Sequence, residues 1–97
     1  MRRSSLHLAL ILLGAAGCDK APTHAEIRDA IEKARVCQND VDCVNLGARC
    51  PFGCAIAVKR SEAEHIRQLL NDFEGSCVQE CATPTQILCE KGLCTPK

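Results

Sequence analysis

Nine cysteines and three histidines carry most of the reactive chemistry in this 97-residue chain. Eight of the cysteines lie between Cys37 and Cys94, in the order Cys-x(5)-Cys (Cys37, Cys43), Cys-Pro-Phe-Gly-Cys (Cys50, Cys54), Cys-x(3)-Cys (Cys77, Cys81) and Cys-x(4)-Cys (Cys89, Cys94). Such a set can form structural disulfides, bind a soft metal as thiolates, or exchange disulfides. Zinc sites gather four ligands, usually from two closely spaced pairs, and an oxidising compartment competes for the thiolates. Thiol exchange normally uses Cys-x-x-Cys beside a helix N-terminus, a spacing this chain does not contain. The two Cys-x(3)-Cys pairs also resemble the twin motif of small mitochondrial chaperones, but Pro51 and Gly53 contradict the helical hairpin on which that motif sits. Structural disulfides are therefore the reading, and a metal-binding or thiol redox protein is the alternative. Spacing alone leaves the pairing open.

Hydrolytic chemistry is poorly supplied. Beyond the N-terminal segment the only histidines are His24 and His65, and neither is accompanied by Gly-x-Ser-x-Gly or His-Glu-x-x-His. The chain reads as not an enzyme, with no catalytic residues, no metal ligands and no cofactor.

Composition explains why crosslinks are needed. A chain this short buries a small share of its surface, and with two Phe, no Tyr and no Trp it lacks the side chains that bury most area. Bridges of this density persist only outside the reducing cytosol. The first residues supply the route: Arg2 and Arg3, the apolar stretch Leu6 to Leu13 broken by His7, and the small residues Gly14-Ala15-Ala16-Gly17 follow the grammar of a secretory signal. The run ends at Asp19-Lys20, short of the roughly 20 apolar residues a membrane span needs.

Ala15-Ala16-Gly17-Cys18 resembles the lipobox of bacterial lipoproteins, with Ala15 where that pattern usually has Leu. The resemblance implies cleavage before Cys18 and its acylation by lipid of the palmitate type. An odd cysteine count points the same way, since removing Cys18 leaves an even set of eight. The organisation expected is a signal peptide over 1–17, a lipidated cysteine and short tether over 18–22, and a disulfide-rich domain over 23–97. At about 3.5 Å per extended residue, Asp19 to Pro22 reach roughly 14 Å. Without Arg2 and Arg3, ten of the twelve Lys/Arg remain against twelve Asp/Glu. No cationic cluster suggests nucleic acid.

The elements that must position the cysteines follow from pattern. Thr23 with Glu26 reads as a capping box, and Ile27, Ala30, Ile31 and Ala34 predict a helix over 24–36. Its other face, with Arg28, Asp29, Glu32, Lys33 and Arg35, reads as solvated. Gln38 to Asp40 reads as a turn, Val41 to Leu46 as a strand, and Ala55 to Val58 as a buried central strand. Ser61 with Glu64 repeats the capping box before a helix over 62–74, which Gly75 would end in a left-handed conformation. Ile87 to Cys94 reads as a hairpin turning at Lys91-Gly92. The expected fold is α+β, a small disulfide-rich domain with two helices packed on a short antiparallel sheet. Its expected core is Ile27, Ile31, Ile56, Val58, Ile66, Leu69, Leu70 and Phe73. If Cys77 and Cys81 share a helical turn, a bond between them is disfavoured and each should reach a different segment.

The cysteine order from Cys37 to Cys94 resembles that of short, largely uncharacterised cysteine-rich bacterial lipoproteins of the eight-cysteine type. That family brings no established activity. The function expected is a monomeric lipoprotein anchored by lipid in a membrane of the bacterial cell envelope, facing the periplasm or exterior. Its domain would be an interaction module for an unknown envelope protein. The loops Asn45 to Arg49 and Ala82 to Gln86 are candidates for presentation, with Arg49 offering a basic side chain to a partner.

Overall fold

A computed structural model describes residues 20–84 and 86–97. The expected signal and Cys18 lie outside the described residues, as does Thr85. Helix α1 (His24–Ala34) begins as its sequence predicts. The Thr23 hydroxyl accepts from the Glu26 N–H at 3.1 Å, and the Glu26 carboxylate accepts from the Thr23 N–H at 2.8 Å. These bonds from Thr23, backbone first and side chain second, hold the Glu26 carboxyl below its usual range. A lowered folded-state pKa means that the stabilisation is present above the ordinary carboxylate range and is lost as pH falls through the lowered value.

Beyond α1 the chain passes through a 3₁₀ turn (Asp40–Asp42) into strand β1 (Cys43–Asn45), which pairs antiparallel with β2 (Ala57–Lys59). The first two residues of the segment read as a strand, Val41 and Asp42, are thus in the turn. Asp42 bends it by accepting from the N–H groups of Gln38 and Asn39, and the Asp40 carboxylate accepts from the Cys89 N–H at 2.7 Å.

A second 3₁₀ turn (Arg60–Glu62) leads directly into helix α2 (Ala63–Asp72). This overturns the second capping box: the N-cap is Glu62, and no side chain bonds the first turn. The 3₁₀ turn places Ser61 inside the helical run, one residue before the N-cap position it was expected to hold. Replacing Thr23 by Ala should therefore cost about 1 kcal/mol, whereas Ser61→Ala should stay within about 0.5 kcal/mol. Denaturant unfolding of the two variants checks this.

The hairpin comprises β3 (Ile87–Glu90) and β4 (Leu93–Pro96), paired antiparallel. Lys91 (φ 53°) and Gly92 (φ 78°) form its two-residue turn; positive φ at both positions matches the right-handed strand twist. The strands form two separate two-stranded sheets, β1–β2 and β3–β4, rather than the single sheet expected.

The β1–β2 ribbon is the middle layer. Val58 and its partner Val44 turn toward the helices, joining Ile27, Ala34, Ile56, Ile66 and Leu70. Cys43 and Ala57 turn the other way, toward Cys37 and Cys94. Burial on both faces is why the run ending in Val58 shows no polar alternation. Of the expected core, Ile27, Ile56, Val58, Ile66 and Leu70 are buried, and Ile31, Leu69 and Phe73 pack against them half-buried. Arg35 departs from the solvated face assigned to it: its Nε donates to the Cys94 carbonyl at 3.3 Å while Glu32 pairs with the guanidinium. Together with Cys94 N–H to Arg35 O and Cys37 N–H to Gly92 O, it fastens the end of α1 to the hairpin.

Candidate functional site

All eight cysteines from Cys37 onward are joined, as Cys37–Cys89, Cys43–Cys94, Cys50–Cys77 and Cys54–Cys81. The four bonds fall into two pairs. The inner pair ties β1 and the segment after α1 to the hairpin. Cys89 and Cys94 face each other across its strands, yet each bonds outward. Cys37, Cys43 and Cys94 are buried, and their sulfurs lie within 4.8 Å of one another. Each is committed to a disulfide, so in this oxidised form none offers the thiolate a metal requires.

The outer pair links two loops. Cys50 and Cys54 bracket a turn in which Phe52 N–H donates to Arg49 O and Arg49 N–H donates to Gly53 O at 2.9 Å. Their partners, Cys77 and Cys81, lie 27 residues further on in both cases, in a stretch without helix or strand. They do not bond to each other, yet they occupy no helical turn, and both reach the same loop rather than different segments. Cα separations of 5.6 and 5.3 Å make the two bonds rungs of a short ladder.

Between those rungs runs a strap, Cys77-Val78-Gln79-Glu80-Cys81. Val78 is 98 % exposed. Among the described residues, no backbone–backbone hydrogen bond involves positions 74–84. The strap is seated from below by the Gln79 side chain, whose Nε2 donates to Gly53 O at 3.0 Å. Cys54 Sγ lies 3.5 Å from Glu80 O; a disulfide sulfur has no proton to give, so this is a packing contact.

Arg49, expected to face a partner, is turned inward. Its guanidinium donates to Cys50 O at 2.8 Å, Phe73 O at 3.2 Å and Gly75 O at 3.1 Å, with a longer contact to Leu70 O, and lies 5.3 Å from the Phe73 ring centre. The carbonyls ending α2 need such donors, and a cation suits the negative end of a helix. The helix stops at Phe73, which is extended, and Gly75 has no positive φ, contrary to the left-handed ending expected. Glycine suits the position by close approach instead: a Cβ on Gly75 would sit 2.7 Å from Phe73 Cε2, so the ring would have to shift.

Phe73 also meets Phe52 edge-on at 4.9 Å, and Phe52 stacks on His24 at 5.0 Å. His24 and His65 are exposed. Neither candidate loop is braced as the strap is. In Asn45 to Arg49, Asn45 is spent on the Gly47 N–H, and Ala82 to Gln86 lies beyond the last rung. The strap could have been found in the sequence only by knowing that Cys77 and Cys81 bond to one loop. No helix among the described residues is long and apolar enough to cross a membrane. No protein-family model, curated protein or solved structure matches the chain.

Proposed function

We propose that this chain is a lipoprotein of the bacterial cell envelope, acylated at Cys18, whose disulfide-stabilised domain is a monomeric interaction module for another envelope protein. The observation that carries this reading is the strap: an exposed, hydrogen-bond-poor segment clamped at both ends to one rigid turn. Such a segment loses little conformational freedom on binding, and that pre-organisation favours affinity. The disulfides use eight of the nine cysteines, which supports a separate fate for Cys18. The short tether would hold the domain close to the lipid surface.

Two experiments test the proposal. Cys18→Ala should abolish partitioning of the protein into a detergent phase; equal partitioning of variant and parent rejects the anchor. The oxidised protein should capture a partner from envelope extracts and lose it on reduction. Metal release or dithiol turnover would instead favour the metal-binding or redox reading.

A further inference from the structure

We infer that the Cys77–Cys81 strap enters the substrate cleft of an endopeptidase and blocks it, with Val78 filling a small apolar specificity pocket. The inference rests on the interaction-module reading and names the partner's class.

Three properties of the strap lead there. Among the described residues its backbone makes no backbone–backbone hydrogen bond, which leaves main-chain groups to bond in strand fashion to the walls of a cleft that binds peptide main chain. The single aliphatic side chain at its tip is 98 % exposed, and the residue that follows, Gln79, is anchored to Gly53 O. Val78 thus projects while its neighbour is held. The third property bears on a peptidase in particular: both sides of the Val78–Gln79 bond are crosslinked to the same turn.

That crosslinking changes the outcome of cleavage. Hydrolysis would add one water across the peptide bond, leaving a carboxylate on Val78 and an amine on Gln79. In an ordinary substrate the two ends diffuse apart. Here Cys77 remains bonded to Cys50 and Cys81 to Cys54, so the new ends stay within reach at high effective concentration. Condensation, with loss of the same water, can restore the bond in the cleft. Exposed irregular loops are preferred sites of proteolytic nicking, and a strap built this way occupies the site rather than leaving it.

The test uses the full chain in detergent micelles with its disulfides intact. It is mixed with a serine endopeptidase of elastase type, whose pocket takes small aliphatic side chains, and in parallel with trypsin; hydrolysis of a chromogenic peptide is the readout. The parent should inhibit the first enzyme and not the second. Val78→Asp should weaken inhibition by about 100-fold or more, because an apolar pocket must then bury a charge, and Val78→Lys should move inhibition to trypsin. At so exposed a position both variants should fold as the parent does, which far-ultraviolet circular dichroism verifies. Absence of inhibition by the parent, or equal inhibition by Val78→Asp, overturns the inference. Envelope capture that survives Val78→Asp overturns it too and leaves the interaction module standing. Inhibition by the parent without any envelope capture rejects only the envelope partner.

Discussion

Arg49→Ala is expected to destabilise the domain by about 2 to 4 kcal/mol, the largest effect of any single non-cysteine substitution considered. The guanidinium serves Cys50 O, Phe73 O and Gly75 O at once. Hydrogen bonds from a charged donor are worth about 1.5 to 3 kcal/mol each, and partial exposure lets water recover part of the loss. Arg49→Lys should recover less than half, because a point-like ammonium cannot fork between carbonyls on two segments. Thermal unfolding of the three proteins decides it; a lysine variant as stable as the parent would mean that charge alone matters.

The second large effect concerns the inner disulfides. Cys43–Cys94 closes a separation of 51 residues, for which the chain-entropy relation gives about 4 kcal/mol. Cys94 is also wholly buried, so replacing both cysteines by Ala leaves a void in the layer between β1–β2 and the hairpin. With whole-domain stability usually about 5 to 15 kcal/mol, the double variant should be largely unfolded near 37 °C. Removing Cys54–Cys81 in the same way should cost about 2 kcal/mol or less, although its chain-entropy figure is about 3.5 kcal/mol. Its strap packs little against the core, so freedom is regained in the folded state as well as in the unfolded one. Exposure gives the same order in reduction: Cys77 and Cys81 are exposed, and a mild dithiol should open the outer pair first.

What could be read from the chain was what is decided locally. The Thr23–Glu26 box and the Lys91-Gly92 turn depend on neighbours within a few residues, and both stand as expected. The α+β class, the helices and most of the core followed from apolar spacing. Ser61 misled because the chain leaves β2 already coiled, so the helical run starts before a cap can act. Gly75 misled because its role depends on the Phe73 ring rather than on its own φ. Arg49 and the strap could not be found from pattern at all. Their roles are set by contacts 21 to 27 residues away, and local composition marks both only as loop.

The central claim is the crosslinked architecture, and the most direct test is a disulfide map of the unreduced protein, denatured with free thiols blocked and then digested. The expected result is Cys37–Cys89, Cys43–Cys94, Cys50–Cys77 and Cys54–Cys81, with no free thiol among these eight. A bond within Cys50/Cys54 or Cys77/Cys81, or two or more free thiols in the set, would contradict it.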